Sequence, residues 1–95
     1  SEKVYNEADE ITEMAWNGTI RKKYTDAKHK SEIHYYLLIK GEKGKKQLVD
    51  LVEADPTFFD QVAVPQRVSK AANSLDVRVQ RFSKPDTTLR IKFIE

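Results

Sequence analysis

The chain contains no cysteine. That removes disulfides, thiolate metal ligands and a thiol nucleophile, and it suits a reducing compartment. Glycine and proline are scarce, three of each in 95 residues, so no low-complexity tract or flexible linker is expected. No apolar run approaches the roughly 20 residues that a membrane-spanning helix needs. No basic-then-apolar leader is visible either. The expected compartment is therefore inside the cell, cytoplasmic or nuclear, with no membrane partner. Histidine is limited to His29 and His34. Their spacing matches no ligand pair, and no carboxylate spacing completes a metal site. A Gly-x-Ser-x-Gly elbow, a zinc-protease histidine pair and a dinucleotide fingerprint are all missing. The expectation is a non-enzyme without cofactor or metal.

What the chain has is charge. Charged residues make up 34% of it and hydrophobic residues 39%, which allows one small globular domain over residues 1–95 with a modest core. The net charge of +2 conceals alternating blocks. Residues 1–17 set one lysine against five carboxylates, and residues 18–48 set nine basic groups against three acidic ones. Residues 49–64 carry four carboxylates and no base, and residues 65–95 carry seven basic groups and three acidic ones. Such blocks become faces in a folded domain.

Periodicity orders the elements. Val4, Ala8, Ile11 and Ala15 recur at helical spacing and predict a helix over 2–16. A rival reading takes Asn17-Gly18 as a hairpin turn between Thr12–Trp16 and Thr19–Tyr24. Strands are predicted over 19–25, with Ile20 and Tyr24 on one face, and over 32–40. In the second, Ile33, Tyr35, Leu37 and Ile39 alternate with His34, Tyr36 and Leu38, so both faces are apolar and the strand is central. Gly41 to Gly44 is a turn. Leu48, Leu51 and Val52 predict a helix over 45–54. Asp55-Pro56 then starts another helix as N-cap and first position, which runs over 57–75 and breaks at Pro65. In its second part Val68, Ala71, Ala72 and Leu75 form the apolar stripe. Period-two strands follow over 77–82 and 88–94, with Val77, Val79, Leu89, Ile91 and Phe93 inward and a turn at Ser83 to Thr87. The predicted fold class is α+β: a mostly antiparallel sheet of three or four strands packed on two or three helices, with a C-terminal helix followed by a β-hairpin.

Three patterns are candidates for chemistry. Gly41-x-x-Gly44-Lys45-Lys46 follows a strand, as a phosphate loop does, but its spacing is too short, and Lys46 stands where Ser or Thr would hold magnesium. It reads as a lysine-rich turn. Glu7, Asp9, Glu10 and Glu13 read as a solvated helix face, since nothing places one of them in a cleft. The third pattern is the basic set: Arg67 and Lys70 on the predicted helix, then Arg78, Arg81, Lys84, Arg90 and Lys92 on the hairpin. Arg21, Lys22, Lys23, Lys28 and Lys30 are candidates to join it. Converging cations of this kind bind nucleic acid by neutralising phosphates, and Tyr24, Tyr35, Tyr36 or Phe82 would stack bases if exposed.

In element order alone, a helix after Pro65 followed by a basic hairpin resembles the recognition helix and wing of winged-helix domains. The expected function is thus a small binding domain for nucleic acid. The alternative is a protein-interaction module, an inhibitor or adaptor docking an acidic partner through Trp16, Tyr36 and Phe59. A homodimer through a sheet edge is compatible with either.

Overall fold

The strongest period-two alternation in the chain, residues 32–40, becomes an interior strand of a seven-stranded sheet. The computed structural model describes residues 3–5, 8–29, 32–52 and 54–94, with the backbone alone at 3–5, 28–29 and 32. The elements are β1 (Lys3–Tyr5), α1 (Ala8–Glu13), β2 (Trp16–His29), β3 (Glu32–Gly41), β4 (Lys46–Asp50), α2 (Pro56–Gln61), β5 (Gln66–Lys70), β6 (Asp76–Val79) and β7 (Thr87–Arg90). Their order across the sheet is β1-β4-β3-β2-β5-β6-β7. The β1–β4 pair is parallel and every other pair is antiparallel. Beyond the strands, Ala54 bridges to Phe93, and the Asp55 N–H donates to the Lys92 carbonyl at 2.7 Å. Chain that follows β4 is thereby joined to chain that follows β7, and the sheet curls round one core.

That core is the inward half of each strand's alternation. Ile20, Leu37, Ile39, Val49, Val68, Val77, Val79 and Ile91 are all buried. Each aliphatic side chain of this kind stabilises the fold by about 1.5–3 kcal/mol relative to leaving it in water. Ile11 of α1 and Phe58 and Phe59 of α2 close the space from outside the sheet. The Phe59 ring meets Tyr35 at 5.2 Å between centroids. Trp16 is buried at the start of β2, with no hydrogen-bond partner for its Nε1 among the described residues.

Several expectations hold. β3 is central, Val77, Val79, Leu89 and Ile91 face inward, and Gly41 to Gly44 turns through a short 3-10 segment. Asp55 caps α2, accepting from the Thr57 N–H at 2.9 Å, with Pro56 at the first position.

The helices are where the predicted fold fails. The sheet has seven strands, not three or four, and the two α-helices have six residues each. Residues 2–16 are not one helix: α1 spans six of them, and β2 already starts at Trp16. Asn17-Gly18 is not a hairpin turn either, because both residues sit inside β2, paired with Ser69 and Val68 of β5. Residues 46–50 of the expected helix over 45–54 form β4, and residues 66–70 of the expected helix over 57–75 form β5. In both places the apolar spacing also satisfies a strand. Val49 and Leu51 alternate with Leu48, and Val68 and Lys70 alternate with Arg67 and Ser69. Neighbouring strands on both sides then decide the matter by supplying ladder hydrogen bonds. With no helix after Pro65, the likeness to a winged-helix domain falls. One facing also changes. The register slips between Ile20 and Lys22, so Arg21 bulges and Tyr24 turns to the face opposite Ile20.

Candidate functional site

The basic residues predicted as one patch divide among three surroundings. Lys70 leaves the surface altogether. It points inward from β5, is 3% exposed, and donates to the carbonyls of Thr12 at 2.9 Å, Met14 at 2.6 Å and Ala71 at 3.1 Å. Three acceptors match the three donors of an ammonium group. Burial pushes its pKa below the ordinary lysine value. Lys23 behaves similarly: it shares the face of Leu37 and donates to the carbonyls of Phe59 at 2.7 Å and Val62 at 2.9 Å. Both lysines therefore satisfy carbonyls at the C-terminal end of a short helix, α1 for Lys70 and α2 for Lys23, where helical partners run out.

The C-terminal hairpin keeps its cations outside but occupies its three arginines. Arg78 Nε lies 3.2 Å from Asp86 Oδ2, and Arg90 Nη1 lies 3.0 Å from Asp76 Oδ1. Arg81 Nε donates to the Pro85 carbonyl at 2.9 Å, inside its own turn. Lys84 is exposed on that turn, and Lys92 is exposed just beyond β7.

The remaining cations converge elsewhere. Residues directly opposite one another in paired strands share a face. Lys46 faces Lys40, Lys40 faces Thr19, and Thr19 faces Arg67, which draws one row across β4, β3, β2 and β5. The next row runs Asn17, Ser69, Arg78, Thr88 across β2, β5, β6 and β7. Two clefts open on this outer face and share Arg67. One, of about 240 Å³, is lined by Asn17, Ser69, Arg78, Gln80 and Asp86 among others; the other, of about 260 Å³, by Gly18, Thr19, Arg21, Lys40, Gly41 and Glu42. Arg67 Nη2 donates to Asn17 Oδ1 at 3.0 Å. Among the described residues Arg21, Lys40, Lys46 and Arg67 form no ion pair. Gly18 and Gly41 oppose each other on the floor of the second cleft. A Cβ on Gly18 would strike the Lys40 carbonyl, so close approach of β2 and β3 requires glycine there.

The charge pattern points to Arg21, Arg67 and Arg78 but passes over Lys40, and it assigns Lys46 to a lysine-rich turn. Their signal was present: Lys40 continues the outward alternation of Tyr36 and Leu38, and Lys46 begins the strand opposite. Glu7 and Lys30, and the side chains of Val4, Lys28 and His29, lie outside the described residues.

The aromatic candidates also divide. Tyr35 packs inward. Tyr24 and Tyr36 stack on each other at 4.9 Å, His34 covers Tyr36 at 5.9 Å, and Lys22 Nζ sits 4.9 Å over Tyr24. Their ring faces are thus covered, which leaves little room for a base. Burial, then the charges of Asp50 and Asp26, raise the Tyr36 phenol above its ordinary pKa. Behind this column Asp50 is 2% exposed; its Oδ2 lies 2.6 Å from His34 Nδ1, and its Oδ1 accepts from the Val52 N–H at 3.0 Å. Phe82, by contrast, is 96% exposed. The anchors of the protein-docking alternative are not surface groups: Trp16 and Phe59 are core residues, and Tyr36 belongs to the stacked column.

Among the described residues no three His, Asp or Glu side chains gather as metal ligands, and no helix is long and apolar enough to cross a membrane. No family model, curated protein or solved structure matches the chain.

Proposed function

We propose that this chain is a non-enzymatic binding domain for nucleic acid, held on the outer face of β2–β5 with Arg67 at its centre. The observation that carries the reading is the meeting of two clefts at Arg67, beside Arg21, Lys40 and Lys46, none of them ion-paired among the described residues. Unneutralised cations on one face supply phosphate affinity through counterion release. Arg78 and Arg90 add to it at small cost, since exposed ion pairs such as theirs are worth about 0–1 kcal/mol and exchange readily for a phosphate. Polar Asn17, Thr19 and Ser69 line the same face, suited to sugar and phosphate oxygens. Exposed Phe82 supplies an aromatic ring for stacking on an unpaired base. Asn17 already holds Arg67, so the face favours backbone contact over base readout.

Fluorescence anisotropy with mixed-sequence duplex DNA, single-stranded DNA and RNA, each over a salt series, tests this. Log affinity should fall with log salt by roughly 0.9 per duplex phosphate contact. The double variant Lys40→Ala/Arg67→Ala should lower that slope by about two units. Absence of binding at low salt, or a slope unchanged in the double variant, rules the reading out.

A further inference from the structure

The open edge of β7 borders a cleft that shares Arg90 with the nucleic-acid face and otherwise lies apart from it. Among the described residues β7 pairs with β6 alone, and it ends the sheet. The Ile91 N–H donates to the Leu75 carbonyl at 2.9 Å, toward β6, while the Lys92 carbonyl accepts from Asp55 on the opposite side. Alternation along an extended chain then turns the backbone of Thr87 and Leu89 toward β6 and that of Thr88 and Arg90 outward. No backbone partner for Thr88 or Arg90 is found on that outer side among the described residues. Facing them across the cleft is α2, which contributes Thr57, Phe58 and Gln61. The cleft measures about 310 Å³, at the lower end of the roughly 300–1,000 Å³ of ligand pockets, a size for one or two side chains. Its apolar wall is Phe58 with Leu89, and its rim carries Arg90 and Lys92. Asp55 stands at the same rim, but its Oδ1 already accepts from the Thr57 N–H at 2.9 Å and the Thr57 hydroxyl at 2.6 Å.

We propose that this cleft takes an extended peptide segment, added to β7 as a further strand, with an apolar side chain seated against Phe58 and Leu89 and a neighbouring carboxylate facing Arg90 and Lys92. Main-chain bonds to Thr88 and Arg90 supply affinity, and the cleft and its charge supply selectivity, as in strand addition generally. The partner class is an acidic-apolar protein segment. The sheet edge and the cleft support this strand addition whether or not nucleic acid binds the outer face.

The probes are fluorescein-labelled octapeptides, one alternating Val with Glu and one alternating Val with Lys. The acidic peptide should bind the full chain, and the lysine peptide at least tenfold more weakly. Amide exchange at Thr88 and Arg90 should slow on addition of the acidic peptide. Thr88→Pro removes an outward N–H without touching the β6 ladder, and should weaken binding at least tenfold while circular dichroism stays that of the parent. Lys92→Glu, a surface change that spares folding, should shift preference toward the lysine peptide. Four results overturn the proposal: no binding of the acidic peptide, affinity unchanged in a folded Thr88→Pro variant, preference unchanged in Lys92→Glu, or loss of binding in Lys40→Ala/Arg67→Ala. Slow exchange at Thr88 and Arg90 without peptide, together with a dimer by sedimentation, also overturns it, because a second copy would then occupy the edge.

Discussion

The two faces of the sheet treat the same kind of side chain in opposite ways. On the inner face Lys23 and Lys70 are tied to backbone carbonyls at the ends of α2 and α1. On the outer face Arg67, three residues before Lys70 in β5, is exposed and held by one amide oxygen. A lysine turned inward is acceptable only where carbonyl oxygens surround its ammonium group, because an unpaired buried charge is costly. Two short helices, each with orphan carbonyls, provide those oxygens. The basic blocks of this sequence therefore contain two classes of residue: ones that hold the fold together and ones left for a ligand.

The sharpest way to break this contrast is Lys70→Met. It strips donors from three carbonyls, and it should cost about 3 kcal/mol or more, since each buried group left unsatisfied costs about 1–3 kcal/mol; denaturant midpoints would measure it. The pH dependence of that contribution has a defined sign. The folded pKa of Lys70 lies below its unfolded value of 10.5, so the unfolded chain binds more protons between the two. Stability should rise with pH through that window, with the penalty fully in place below the folded value. Lys70→Met should abolish this rise, and urea melts between neutral and alkaline pH would reveal it.

Lys23→Met comes next. Two half-buried carbonyls lose their donor, so the expected loss is about 1–2 kcal/mol, read by the same melts. On the outer face the expected cost is much smaller. Arg78→Ala or Arg90→Ala should change stability by no more than about 1 kcal/mol, because both ion pairs are solvent-exposed. A larger loss in either would mean that the hairpin arginines also belong to the structural class. The least effect belongs to the titration of Asp55. Its hydrogen bonds from Thr57, and secondarily the charge of Lys92, hold its pKa below 3.8. Its small contribution should be present above 3.8 and disappear as pH falls through the folded value. An acid titration of Asp55→Asn, which keeps a capping oxygen, beside the parent would isolate it.

Legibility in the sequence followed the uniqueness of the pattern. In β3, Leu37 and Ile39 are buried while Tyr36 and Leu38 are half-buried on the other face, an alternation that no helix reproduces, and both its type and its central place were readable. The β6–β7 hairpin was readable for the same reason, through Val77, Val79, Leu89 and Ile91. Asp55-Pro56 marked a helix start because cap and fixed φ act locally. Elsewhere the pattern was degenerate. Leu48, Leu51 and Val52 lie at helical spacing, yet Val49 and Leu51 also alternate as a strand does, and the polar residues between them exclude neither. The site was half legible. Charge pattern alone points to Arg67 and Arg78, whereas helical spacing sets Lys70 on the outer face and a strand turns it inward.

The sequence by itself determined the inventory: no thiol chemistry, one modest core, two cationic blocks, a central strand and a C-terminal hairpin. These follow from composition and from local periodicity, which neighbours in space do not alter. The tertiary structure decided which ambiguous segments became strands, and so which cations face the core and which face solvent. That choice rests on ladder hydrogen bonds from β2, β3 and β6 and on carbonyls at helix ends, partners as far as 58 residues away along the chain. A local pattern holds no record of them.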